Sequence, residues 1–203
     1  MSFEVVHALA LAFGLNMRTD EFDFTLPPHL IAQSPTTHRD QSRLLVLPRS
    51  GAPLRHERFS DLPSHLRPGD VLVVNDSKVI PARLRALNPI TGGRFEILLL
   101  EENARNDWWT LMRPGKRARP GTVLELLDPA AQPSGLKVVI ADVNAEGHRR
   151  VHFDGPANLV DLLGRLGEIP LPPYIHRSHP ATAADEDAAR YQTVYARSNG
   201  SVA

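Results

Sequence analysis

From residue 82 to residue 153 the chain is cut into short runs of apolar, β-branched and aromatic residues, separated by turn residues at near-regular spacing. The runs fall at 83–87, 94–100, 108–112, 123–127, 136–143 and 149–153, with Gly92-Gly93, Pro114-Gly115 and Pro120-Gly121 among the breaks. Strands this short cannot each bury a face alone, so a small antiparallel barrel or sandwich is the expected solution. The flanking sequence has a different texture, which predicts a mixed α+β (α/β) fold. An α/β domain, 17–81 and 156–203, is interrupted by an inserted β-barrel at 82–155. Residues 1–16 stand apart as an N-terminal extension: either a short amphipathic helix or sequence upstream of a functional start at Met17.

Just before the insertion, Pro68-Gly69 marks a turn and Val71-Leu72-Val73-Val74 reads as a strand buried on both faces. Asn75, Asp76, Ser77 and Lys78 follow at once. At the carboxyl end of a strand in an open α/β sheet, such groups face a ligand crevice. The plainer reading is a polar loop after a core strand.

Elsewhere, Leu26-Pro27-Pro28 opens one helical turn, and the segments at 44–47 and 54–59 form a hairpin. Ser60 is placed to cap a short helix running through Leu66. Leu159, Leu162, Leu163 and Leu166 form one stripe of a helix that Gly167 ends. Residues 167–175 are proline-stiffened. Thr182 and Asp185 have capping-box spacing for a further helix that continues through residues 190–195. No closing element is expected at 200–203.

Lys and Arg total 23, as do Asp and Glu, so a polyanion must be met by a local patch and not by a global field. The lack of cysteine excludes disulfides, thiolate zinc sites and a cysteine nucleophile, and it suits the cytoplasm. No apolar run approaches a membrane span. The histidine spacings 148/152 and 176/179 lack the glutamate of a zincin helix, so no metal is expected. Neither a glycine-rich phosphate loop nor a Gly-x-Ser-x-Gly elbow occurs.

Three clusters remain. Arg113 stands just before, and Lys116, Arg117 and Arg119 between, two Pro-Gly turns that follow Trp108 and Trp109. They suit phosphate binding with a stacking aromatic, or else form a solvated loop with one tryptophan in the core. His148, Arg150 and His152 alternate on a strand and are read as an exposed face. Tyr174, Arg177, Tyr191, Gln192 and Tyr195 gather around a proline-locked bend. They line a pocket for a planar polar ligand, or Tyr191 and Tyr195 pack one helix face.

Several segments together resemble one family. They are Asp23-Phe24 with Leu26-Pro27, Leu30-Ile31-Ala32-Gln33, Ser42-Arg43-Leu44-Leu45, Asp61-Leu62-Pro63, Asn75-Asp76 with Val79-Ile80-Pro81-Ala82-Arg83-Leu84, Arg113-Pro114-Gly115-Lys116, Pro170-Leu171-Pro172-Pro173-Tyr174-Ile175 and Tyr191-Gln192-Thr193-Val194-Tyr195. The chain resembles the S-adenosylmethionine:tRNA ribosyltransferase-isomerases of the queuosine pathway from Met17 onward. The resemblance implies an α/β domain interrupted by a β-barrel, with S-adenosylmethionine as ribosyl donor and tRNA as acceptor. It further implies a cytoplasmic monomer without a metal or a membrane partner. Asp76, Asn75 and Arg83 are expected at the substrate crevice, with Asp76 as the acid/base group. Tyr174, Tyr191, Gln192 and Tyr195 are expected on the ligand, and Arg113, Lys116 and Arg117 on tRNA phosphates. Members of the family continue beyond the point where this sequence stops. The chain is therefore expected to leave the Val71 strand without neighbours and to be unstable or inactive alone. The alternatives are a non-catalytic RNA-binding β-barrel module and an inert truncation.

Overall fold

The computed structural model describes residues 18–176 and 180–201, omitting the side chains of 180–185, 199 and 201. The N-terminal extension, Met17 and Arg177 lie outside the described residues, as do the Thr182 and Asp185 side chains of the expected capping box. The chain divides into two units, Met1–Gln33 and Ser34–Ala203. In the first, the described residues form two 3₁₀ turns, Thr19–Phe22 and Pro28–Leu30, the second opened by its proline as the sequence predicts.

In the second unit the turn-punctuated segment closes into a barrel. Its strands are β4 (Arg83–Leu87), β5 (Arg94–Ala104), β6 (Asp107–Arg113), β7 (Val123–Leu127), β8 (Pro133–Val143) and β9 (Arg149–Asp154). They pair antiparallel in the order β4-β5-β6-β9-β8-β7, and β7 returns to β4. Closure decides between barrel and sandwich: it leaves no edge with unpaired backbone groups. Alternation along each strand sends one set inward. Leu84, Ile97, Leu99, Leu124, Leu126, Val138, Ile140 and Val151 are fully buried. Each such side chain contributes roughly 1.5–3 kcal/mol relative to exposure. Trp108 belongs to this core while Trp109 is half-buried, as expected of one inward and one outward neighbour. Inside the barrel, Thr110 donates to the Arg149 carbonyl at 3.0 Å, which satisfies its buried hydroxyl.

At the β6–β9 seam Arg150 makes a two-nitrogen contact with Asp107, at 2.9 and 2.8 Å. The expected outer face of His148, Arg150 and His152 is confirmed in part: Arg150 and His152 are exposed and His148 is half-buried. Hydrogen bonds from Arg150, against some desolvation, and from Asn103 hold the Asp107 carboxyl below the usual carboxylate range. A carboxyl depressed by folding stabilises above its unfolded pKa, near 4, and loses that contribution as pH falls through the folded value. Asp107→Asn is therefore expected to lower Tm at neutral pH, with the gap to the parent closing in the acid range below about pH 4. A Tm-versus-pH series on both proteins checks this, and a gap that stays constant with pH would refute it.

Beyond β9, Asn158 caps α1 (Leu159–Leu166) by accepting from Val160 N at 3.2 Å. Leu159, Leu163 and Leu166 are buried in the same cluster as the barrel core, and Leu162 packs against its edge. Asn106, in the β5–β6 turn, fastens the two together. Its Nδ2 donates to the Ala157 carbonyl at 2.9 Å and its Oδ1 accepts from Leu159 N at 2.8 Å. Its backbone is left-handed, φ 63°, a conformation that asparagine tolerates better than most residues.

The remaining elements are β1 (Arg43–Val46) and β2 (Arg55–Arg58), which pair as the expected hairpin, a 3₁₀ helix Phe59–His65, β3 (Ser77–Val79), α2 (Pro180–Tyr191) and β10 (Ser198–Ser201). Four expectations are corrected here. Ser60 is not the cap: Asp61 accepts from Arg58 N at 3.0 Å, and the tighter helix starts two residues earlier, at Phe59 after Arg58. The run Val71-Leu72-Val73-Val74 is not a buried strand; it takes part in no strand pairing among the described residues, with Val71 87% and Val73 89% exposed. Strand character in the sequence is not enough where no described neighbour supplies the ladder. The last helix ends at Tyr191 and does not run to Tyr195, so those two tyrosines do not share a helix face. The residues after it are not open-ended, because β10 pairs parallel with β3.

Candidate functional site

The polar tetrad after the valine run leads into β3, and β3 forms one wall of a cavity of about 340 Å³. Lys78, Val79, Ile80 and Pro81 line that wall. Val160, Leu163 and Gly164 of α1 form the second, and Ile169, Ala188 and Gln192 complete it. The lining is largely apolar, with Lys78 its one charged member among the described residues. Such a cavity suits a ligand with a flat apolar body and an anionic or strongly polar end.

Gln192 fixes the distance between two of these walls. Its amide Oε1 accepts from Val79 N and its Nε2 donates to the Val79 carbonyl, both at 2.8 Å. A primary amide carries one acceptor and two donors, so it can satisfy both backbone groups of one residue as a neighbouring strand would. The register continues outward: Thr193 Oγ1 donates to the Asn75 carbonyl at 2.8 Å, and Arg197 N donates to the Asp76 carbonyl at 2.8 Å. The β3–β10 pair follows from this alignment and not from the propensity of Ser-Asn-Gly-Ser, which is poor.

The end of α2 is held from its other side by exchange of arginines. Arg39 donates to the carbonyls of Gln192 at 2.6 Å and Ala189 at 2.8 Å. Arg190 donates back to the carbonyls of Thr37, at 3.3 Å, and Thr36. A guanidinium on the free carbonyls at a helix C-terminus is favoured by both hydrogen bonding and the helix dipole.

The barrel's junction with α1 forms the opposite boundary. Arg83 N donates to the Glu168 carbonyl at 3.1 Å and Glu168 N donates to the Arg83 carbonyl at 2.8 Å. Arg83 Nη2 also donates to the Leu171 carbonyl at 2.9 Å, which fixes the proline-stiffened segment beside the barrel entrance. Arg85 closes a two-nitrogen contact with Glu168 at 2.5 and 2.9 Å, and the hydrogen bond to Glu168 raises its pKa further.

Of the residues anticipated from sequence, Gln192 lines the cavity. Asn75 and Asp76 are exposed just before its Lys78, and Asn75 Oδ1 is engaged by Ser77 N at 2.9 Å in a local turn. Arg83 stands at the junction, bound to backbone. Tyr174 and Tyr195 are exposed and Tyr191 is half-buried; none of the three lines the cavity. Lys78, the cation of the tetrad, lines the cavity as the crevice reading expects, and the other eight lining residues were not anticipated. Gly164 was visible as an isolated glycine inside an otherwise regular helix, a position that generally has a packing or functional reason.

A second feature lies at one end of the barrel. Arg113, Lys116 and Arg117 are exposed on the loop after β6, with Arg119 beside them. None of these cations lines the cavity.

A family model described as queuosine biosynthesis protein matches residues 19–203. The S-adenosylmethionine:tRNA ribosyltransferase-isomerase of Moorella thermoacetica is 49% identical over 190 residues, covering 92% of this chain and 52% of that protein. The enzyme of the same name from Thermus thermophilus is 48% identical over 188 residues, covering 91% and 51%. A crystal structure of S-adenosylmethionine tRNA ribosyltransferase from Thermotoga maritima matches 83% of this chain and 54% of that one, with 34% identity and a TM-score of 0.36. The chain spans about half the length of the curated relatives it matches.

Proposed function

The chain belongs to the queuosine biosynthesis protein family, and on that premise we propose that it serves ribosyl transfer from S-adenosylmethionine to tRNA. The ribosyl group is moved and isomerised onto 7-aminomethyl-7-deazaguanine at the wobble position, giving epoxyqueuosine while adenine and methionine leave. The observation that carries this reading is the cavity formed where β3, α1 and Gln192 meet, in a chain of this family. Its volume of about 340 Å³ falls within the range of small-molecule sites, roughly 300–1,000 Å³.

The chemistry asks little of protein nucleophiles. A sulfonium acidifies the carbon beside it and leaves readily, so the protein must accept a proton, hold the ribose and exclude water. In this reading Asp76 takes the proton, and Asn75 and Lys78 supply polar contacts at the cavity's edge. Arg83 acts by holding the Leu171 segment in place, and Gln192 by fixing β3. Tyr174, Tyr191 and Tyr195 form the outer rim toward the nucleobase, and Arg113, Lys116 and Arg117 meet tRNA phosphates.

The test exchanges this chain for the matching half of the Moorella relative and assays the chimera with S-adenosylmethionine and tRNA carrying the aminomethyl base. Product nucleosides are read by mass spectrometry. Formation of epoxyqueuosine is expected; its absence, with the unexchanged relative active, would overturn the reading. Gly164 localises the site. A Cβ there meets nothing within 4 Å, so Gly164→Ala is expected to stabilise α1 by about 0.5–1 kcal/mol. Gly164→Phe should fill the cavity and lower product formation at least ten-fold. Full activity of the Phe variant would remove the cavity from the proposal.

A second reading, an RNA-binding barrel without catalysis, is favoured by the separation of the loop cations from the cavity lining. It predicts tRNA binding by a chimera that forms no product.

A further inference from the structure

The cationic end of the barrel is built by two loops, the one between β6 and β7 and the turn between β8 and β9. One residue, Arg149 at the start of β9, reaches both. Its Nη2 donates to the Gly115 carbonyl at 2.7 Å, its Nε to the Ala118 carbonyl at 3.3 Å and its Nη1 to the Gly147 carbonyl. The approach is close: a Cβ added at Gly115 would stand 3.5 Å from the guanidinium. Arg149 is half-buried, whereas Arg113, Lys116, Arg117 and Arg119 are exposed. The guanidinium is thus spent on backbone oxygens, and the cations around it are the ones open to solvent. Acids border this surface as well: Glu146 pairs with His148 at 3.2 Å, and Glu96 stands opposite Arg113 in the β5–β6 register.

We propose that Arg149 is the positioning residue of an RNA-binding face, tying the 115–118 loop and the 147 turn into one platform whose exposed cations meet a phosphate backbone. The inference rests on the tRNA reading given under Proposed function and holds in both of its forms, enzymatic or not. A fork of donors in fixed geometry can bridge three carbonyls where a lysine ammonium cannot keep the same directions. A loop held in this way presents its charges without first losing conformational freedom on binding, and such pre-organisation raises affinity.

The experiment measures binding of fluorescein-labelled tRNA to the full chain over a salt series, for the parent, Arg149→Gln, Arg149→Lys and Lys116→Ala/Arg117→Ala, and for the last pair combined with Arg149→Gln. Each phosphate contact contributes about 0.7–0.9 to the slope of log affinity against log salt. Removing one positioning charge is expected to lower the slope by more than one contact's worth and affinity about ten-fold. Arg149→Lys should do the same although it keeps the charge. The Lys116/Arg117 losses should shrink in the Arg149→Gln background. Hydrogen exchange adds a readout independent of RNA. The Arg117 and Ala118 amides, bonded to the Pro114 and Gly115 carbonyls, should exchange faster in both Arg149 variants. A slope change of one contact or less, a silent lysine variant, or additive losses would overturn the proposal. If the parent binds no tRNA at any salt while exchange still speeds up, the RNA reading is what has failed, and the clamp itself stands.

Discussion

Gly167→Ala is expected to be the most damaging single methyl in the chain, costing roughly 3–5 kcal/mol. A Cβ at this position would lie 1.9 Å from the Pro81 carbonyl oxygen, 2.9 Å from the Pro81 carbonyl carbon and 2.8 Å from the Leu163 carbonyl oxygen. All three atoms are backbone, so no side chain can rotate away. The torsion angles are ordinary, φ −93° and ψ 156°, so space and not conformational freedom demands the glycine. Gly167 N also donates to the Leu163 carbonyl at 2.8 Å, which fixes the end of α1. Pro81 and Leu163 both line the cavity. Whatever relieves the clash therefore moves a wall of the site, and product formation should fall together with stability. Urea unfolding of parent and variant measures the first effect and the chimera assay the second. A loss below about 1 kcal/mol would show that the junction can shift without harm.

Asn106→Ala is expected to cost about 2–4 kcal/mol. Asn106 is only 6% exposed, and it satisfies the Ala157 carbonyl and the Leu159 amide at once. Truncation leaves the buried Leu159 amide unpaired, frees the carbonyl of the exposed Ala157, and places alanine in a left-handed backbone, φ 63°. Two further variants separate the causes. Asn106→Gly relieves the backbone but not the lost hydrogen bonds, so it should recover only the torsional part, about 1 kcal/mol. Asn106→Asp keeps the acceptor for Leu159 N but turns a second oxygen toward a carbonyl, and should fall between parent and alanine. Equal stability of the glycine variant and the parent would show that the two hydrogen bonds contribute nothing net.

Much of the fold could be read from the sequence where local pattern and tertiary role coincide. Alternation in the barrel strands decides which face is buried, and β4 and β7 fall on the expected boundaries, Arg83–Leu87 and Val123–Leu127. The leucine stripe of α1 and its Asn158 cap are equally local signals. The failures lie where contacts distant in sequence decide. Val71 to Val74 has strand composition but no described partner, whereas Ser198–Ser201 has little strand composition and pairs with β3. Gln192 could be singled out as polar and clustered, but nothing local reveals that its amide mimics a strand for Val79, 113 residues away. Nothing in the local sequence sets Arg149 apart from its basic neighbours, and its hold on two loops depends on barrel closure. Arg39 and Arg190 stand in a polar loop and on a helix; their exchange across more than a hundred positions leaves no periodic trace.

The paired amides of Arg83 and Glu168 have a consequence for how such a protein diversifies. A hydrogen-bonded antiparallel bridge brings its two Cα atoms to about 5.5 Å, so everything between them leaves and re-enters at a single doorway. Loops on the distant rim can lengthen, shorten or change charge while the doorway keeps its width, without redrawing the chamber behind it.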